Sequence, residues 1–299
     1  MQIYSYWTRS AVDCTAPDGQ PYHLIAYGGS DLSPADARLQ AEQLLEKRWQ
    51  RLQRDEELGH YPTGARPLRE HLEQRLQNAQ GNTTGAITRN GYGALVLNTS
   101  NVLFADVDQT DLVLPPRSNS KTTNIFVALL RRLGLLTTPP PVPAPPPLEG
   151  LPLLEARIKA WLATHPEWNF RLYRTRLGYR VLATHAEILP SDPTSQAVFS
   201  ALDADAIYVR MCQRQQCYRA RLSPKPWRIG LARPAHTFPY ENEQQATAQA
   251  AWETQYAAQS TAFSVCELIG SYGSGRVCPA AEEIVAIHDA ACLGGHPLA

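Results

Sequence analysis

Between Thr137 and Gly150 the chain reads TTPPPVPAPPPLEG, seven prolines in fourteen positions. Proline fixes its own φ and lacks the amide donor of a helix or sheet ladder, so this stretch is barred from regular elements. It predicts a stiff, solvated, polyproline-like linker. A chain of 299 residues has material for one large domain or two modest ones. The run therefore either separates two domains or is a surface excursion inside one. The elements on either side favour the excursion.

Ahead of the prolines, YHLIAYGGS reads as a strand ending in glycines. SPADARLQAEQLLEKRWQRLQ then reads as a helix, with Ser33 as cap, Pro34 in the first turn and Asp36 at the positive dipole end. Leu45, Trp49 and Leu52 recur at helical spacing and predict a packed face. PLREHLEQRLQN suggests a second, more polar helix; ALVLNT and VLFADVD, after the turn at Asn90-Gly91, suggest strands. Beyond the prolines come the helix LLEARIKAWLATH, the strands FRLYRTR and YRVLATH joined at Leu177-Gly178, a short helix at SQAVFSALDA, and the strands AIYVRMC and CYRARLS. Counted from VLFADVD the order is βαββαβ, the split βαβ of ferredoxin-like folds. This predicts an α+β protein with an antiparallel sheet and helices on one face. Its core spans residues 87–235 with the proline run as an insertion at 137–150, an α/β extension lies over 1–86, and 236–299 adds a helix, the strand FSVCELIG, a glycine-rich loop and a final helix packed on the core.

Net charge is zero, so no global field draws the chain to nucleic acid or membrane. Only four of the 28 basic residues are lysine, and arginine suits bidentate phosphate contacts, although a GC-rich genome explains the same bias. The six cysteines form no CxxC pair, MQIYSYWTRS lacks the apolar run of a signal peptide, and no 18-residue apolar stretch follows. A reduced, cytoplasmic protein with free thiols and no membrane partner is the expectation.

In VLFADVD, strand alternation puts Val102, Phe104, Asp106 and Asp108 on one face. Two carboxylates so spaced, about 7 Å apart along the backbone, can share Mg²⁺ or Mn²⁺ with substrate phosphates. A strand that merely ends in polar residues would read the same way.

With the hairpin YRTRLGYRVLATH and the segment LDADAIYV…RARLSPKPWR, this strand resembles the catalytic core of the archaeo-eukaryotic primase superfamily, the primase-polymerases. The resemblance covers roughly residues 95–228. It implies an RRM-like palm and nucleotidyl transfer, with Asp106 and Asp108 as metal ligands and Asp203 or Asp205 as the third acid. Ala183-Thr184-His185 would match a small-x-His motif, with His185 contacting nucleotide phosphate. In that family the histidine stands early in its strand; here Tyr179-Arg180 hold that place and His185 ends the strand.

Ten basic residues between 169 and 228, among them Arg174, Arg176, Arg180, Lys225 and Arg228, face only four acids in the same span. With Tyr173 and Tyr179 interleaved they could neutralise phosphates and stack bases, or form a solvated sheet face. Gly270, Gly273 and Gly275 before the last helix could cradle phosphate or make a tight turn. Three readings follow: a magnesium- or manganese-dependent nucleotidyltransferase, a non-catalytic RRM-like module that binds nucleic acid, and a protein whose proline segment docks a partner chain.

Overall fold

The computed structural model describes residues 1–54, 66–78, 80–112 and 148–299. The prolines at 139–147, and the partner docking expected of them, lie outside that set. Its two ends nevertheless meet: Gly150 N–H donates to Leu112 C=O at 2.9 Å, so the chain leaves and re-enters at one place.

The described residues form six α-helices and three antiparallel sheets, an α+β architecture. Strands β1 (Tyr6–Thr15) and β2 (Pro21–Ser30) make a two-stranded ribbon against helix α1 (Pro34–Gln53). Ser33 Oγ caps that helix by accepting from Asp36 N–H. Leu52, with Leu45 and Trp49 beside it, packs on Ala16 and Leu24, as the helical spacing predicts. The first strand had no counterpart in the sequence reading.

A second sheet runs in the order β3 (His71–Gln77), β4 (Thr83–Arg89), β5 (Leu95–Thr99), β9 (Tyr218–Arg221). Here the helix expected over PLREHLEQRLQN is overturned, because its core is β3. Leu72 and Leu76 are spaced as on one helix face, yet they serve different clusters. Leu72 lies against Ile3 and Leu68, and Leu76 joins the main core. Irregular register with β4 on both sides of Gln74–Leu76 disguises the strand period.

The third sheet holds the FADVD strand. Its order is β10 (Cys266–Gly273), β7 (Asn169–Thr175), β8 (Gly178–Ala183), β6 (Phe104–Asp108). Helix α2 (Gly150–Thr164) connects β6 to β7, and β8 inserts between them. The next helix, α3 (Pro193–Leu202), is as expected, but AIYVRMC is not a strand: it lies in helix α4 (Ala206–Gln215). Asp205 caps that helix through Ile207 N–H, and its buried pair Tyr208 and Cys212 is four apart, a helical stripe that outweighs the β-prone Ile-Tyr-Val. CYRARLS does form a strand, β9, but in the second sheet beside β5. The fourth strand of the central sheet is instead β10, from the C-terminal stretch, which also supplies helices α5 (Glu243–Ser260) and α6 (Pro279–Cys292).

Helices cover both faces of this sheet rather than one. Phe170 and Leu172 point toward α2, whose Glu155 accepts a bond from Tyr272. Arg171, Tyr173 and Arg180 point the other way, toward α6, where His288 packs on Phe104 and Tyr173. Consequently Tyr173 and Tyr179, expected to stack bases, are buried at 0% and 8% exposure. Gly273 holds φ +117, and a side chain there would collide with Trp168 C=O, so this glycine serves a close backbone approach. Gly275 N–H is held by Asn169 Oδ1 at 2.9 Å, which makes the glycine loop a strand-to-helix turn. Among the described residues no helix is long and apolar enough to cross a membrane.

Candidate functional site

Strand β6 ends at the sheet edge with Asp106 half-buried and Asp108 exposed. Gly178, opposite Asp108, carries no side chain, which lets β8 come close to Val107 C=O and the Asp108 backbone. Helix α4 brings a third acid to the same place, since Asp205 N–H donates to Asp106 C=O at 2.9 Å. Burial pushes the Asp108 carboxyl above its ordinary value, and the carboxylates of Asp205, Asp111 and Asp106 add to this. Four acids thus share one electrostatic neighbourhood.

A basic rim faces them. The segment after β9 runs over Lys225 into a short 3-10 turn, Pro226–Arg228. Burial lowers the Lys225 ammonium, as do Arg221 and Arg228, while Asp108 and Asp106 pull it back up. Arg228 is lowered by burial and by its neighbours Arg221 and Arg176. Trp227, between them in sequence, is 44% exposed. Its ring lies edge-on to Tyr92 at 5.3 Å, with Arg233 4.5 Å and Lys225 5.6 Å from its centroid.

Beneath the acids lies a buried polar chain. Arg180 is 1% exposed and pairs with Asp106, Nε to Oδ1 at 3.1 Å. Its Nη1 donates to Arg221 C=O at 3.1 Å and to His288 Nε2 at 3.2 Å. Arginine cannot accept, so Nε2 carries the lone pair and Nδ1 the proton, which is donated to Asp289 at 2.9 Å. Burial alone would raise the Asp289 carboxyl, but bonds from His288 and Tyr173 and the charge of Arg171 hold it low. Burial also works against the Arg180 charge, yet Asp106 more than reverses it and the guanidinium stays protonated.

Sequence reasoning placed Asp106, Asp108, Asp205, Arg176, Lys225 and Arg228 in one site, and the fold brings these together. It does not bring the rest. His185 follows the far end of β8, seven residues beyond Gly178, and packs on Trp168 at 4.2 Å with 5% exposure. Burial lowers its imidazole, and Arg276 reinforces this against Glu167. Arg174 is exposed on the opposite face from Arg180. Arg180 reaches Asp106 as a buried partner, not as a phosphate ligand. Asp203 caps α3 in a left-handed conformation and pairs with Arg157 at 3.0 Å.

Three residues escaped the sequence reading. Cys266, His288 and Cys292 bring their ligand atoms within 4.8 Å of one another, all buried, a set that could hold a metal ion. His288 and Cys292 stand four apart on one face of α6, a signal that spacing could have supplied; Cys266 arrives only through β10. A hydrogen bond from Cys266 pulls the Cys292 thiol down against burial, helped by Arg180 and Arg221, and the same bond with burial pushes Cys266 up. An ion here would compete with Arg180 for His288 Nε2. The set of oxygens at Asp106, Asp108 and Asp205 suits hard cations, and at Asp108 no such competitor stands among the described residues.

No protein-family profile, curated protein or solved structure matches this chain.

Proposed function

We propose that the protein acts on nucleotides at the Asp106–Asp108–Asp205 cluster, binding a nucleoside triphosphate with Mg²⁺ or Mn²⁺ and transferring its nucleotidyl group, on a palm-like core. The observation that carries this reading is the meeting of four mutually repelling carboxylates with a rim of Lys225, Arg221, Arg228 and Arg176. A carboxyl whose proton affinity is raised by burial and by neighbouring carboxylates, as at Asp108, is relieved by a divalent cation, and triphosphate oxygens suit the basic rim. When bound, the ion supplies charge stabilisation to the phosphate oxygens at the reacting phosphorus. Lys225 and Arg228 neutralise the remaining phosphate charge, and Asp205, fixed by its bond to β6, keeps its carboxylate at the cluster. Trp227 offers the base an exposed ring already flanked by cations.

One observation favours a binding role without chemistry. Asp106 is committed to Arg180, which reduces the charge left for a cation. Melting-temperature shifts on adding Mn²⁺ with a nucleoside triphosphate separate the two readings. The proposal expects a rise in wild type that Asp108→Asn loses, together with product from radiolabelled nucleotide. A shift that survives Asp108→Asn, or none in wild type, overturns it.

A further inference from the structure

At the other end of helix α4 lies a cavity of about 640 Å³ between that helix, the β1–β2 ribbon and helix α1. Its walls carry Arg48, Arg69 and Arg214 with the rings of Tyr4, Trp7 and Tyr27. Its volume lies within the range of about 300–1,000 Å³ typical of ligand sites, enough for one or two nucleotides.

Among the described residues the charge of this cavity is unbalanced. Its acid, Glu70, is fully engaged: both carboxylate oxygens accept from Arg219 Nη2 at 2.6 and 2.7 Å, and one also accepts from Thr88. Among the described residues no carboxylate pairs with Arg48, Arg69 or Arg214. The Arg69 guanidinium lies flat over the Tyr27 ring, 3.5 Å from its centroid. Stacking fixes the plane of the guanidinium and leaves its edge donors for an anion. Arg48 donates to Ile25 C=O, which anchors it to the wall. Trp7, another wall residue, has a ring N–H that is buried and lacks a partner among the described residues. The far wall is held in place by Arg66 N–H, which donates to Arg214 C=O at 2.7 Å.

A stacked arginine beside tyrosine and tryptophan rings, Tyr4 and Trp7 being edge-on to each other at 5.5 Å, suits a ligand that alternates phosphates with flat bases. We infer that this cavity binds a single-stranded oligonucleotide and leads it along helix α4 toward the aspartate cluster. The helix sets the distance. Asp205 caps its first turn and Arg214 sits nine residues on, so at 1.5 Å per residue the sites are about 14 Å apart. That is a span of a few nucleotides. The inference extends the proposed function by naming the second substrate, and its test uses a different readout.

Fluorescence anisotropy of a labelled single-stranded oligonucleotide, without metal or triphosphate, reads this cavity alone. Arg69→Ala/Arg214→Ala removes two exposed side chains, and an unchanged melting curve establishes that the variant is folded. Affinity is expected to fall at least tenfold, and the salt slope by about 1.4 for two lost phosphate contacts. Trp7→Leu should weaken binding with the slope unchanged. Asp108→Asn should bind the oligonucleotide as wild type does, and Arg69→Ala/Arg214→Ala should keep the Mn²⁺–triphosphate shift. Wild-type affinity in the double arginine variant overturns the inference. So does complete competition by tripolyphosphate at micromolar concentration, which would make the cavity a site for small anions. Loss of the triphosphate shift in Asp108→Asn bears only on the aspartate cluster.

Discussion

Replacing Asp106 with alanine removes the carboxylate that Arg180 Nε reaches at 3.1 Å and leaves a guanidinium that is 1% exposed. An uncompensated buried charge costs about 3–5 kcal/mol. The lower end applies here, because the Asp106 side chain is 36% exposed and Arg180 keeps two neutral acceptors, Arg221 C=O and His288 Nε2. Unfolding entropy of about 2.1 cal/mol/K per residue gives a 299-residue chain about 0.6 kcal/mol/K. A loss of about 3 kcal/mol then lowers the melting temperature by about 5 °C. The exposed Asp108, which has no such partner among the described residues, should show no such loss. Calorimetry of Asp106→Ala, Asp108→Ala, Arg180→Met and Asp106→Ala/Arg180→Met tests the assignment as a double-mutant cycle. If the charge is the cause, removing Asp106 costs much less once Arg180 is methionine. An Asp106→Ala protein melting within 1 °C of wild type, or one equally harmed in the Arg180→Met background, would refute the reasoning. The practical consequence is that Asp108, not Asp106, is the position at which ligand effects can be read without a loss of stability.

Other outcomes follow from the same geometry. The folded state raises the Asp108 carboxyl, so between its unfolded and folded pKa the native chain binds more protons and stability falls as pH rises; Asp108→Asn should therefore be slightly more stable than wild type at pH 7 while losing the Mn²⁺–triphosphate shift. His185 behaves oppositely in sign of charge: its imidazole is lowered by burial, the unfolded chain takes up the proton first, and stability drops as pH falls through about 6.5. Denaturation at pH 5.5 and 8 should show that drop diminished in His185→Phe, whose triphosphate binding should match wild type. Gly273→Ala forces a side chain into φ +117 against Trp168 C=O, and its chemical denaturation should show a loss of about 2 kcal/mol or more.

Local chemistry determined a good deal. The cap Ser33-Pro34-Asp36, the hairpin at Leu177-Gly178, the apolar helix at 150–164 and the acids at the end of β6 each depend on neighbours a few residues away, and each lies where the sequence indicates. Strand alternation alone put Asp106 and Asp108 on one side. What it could not convey is which partner each side chain meets across long separations. Arg180 became the counter-ion of Asp106 because β8 pairs with β6 in one register, and His288 joined them because α6 covers that face. That covering buried Tyr173, and packing on the opposite face buried Tyr179; both read as exposed stacking residues when only their strands were known. AIYVRMC and PLREHLEQRLQN were misread for a related reason. Propensity differs by less than about 1 kcal/mol between helix and strand, and the contacts of Tyr208 with Phe104 C=O and of β3 with β4 outweigh it. Residue types and short spacings are properties of the chain, whereas the choice of partner is a property of packing, because only the closed fold fixes which surfaces lose water together.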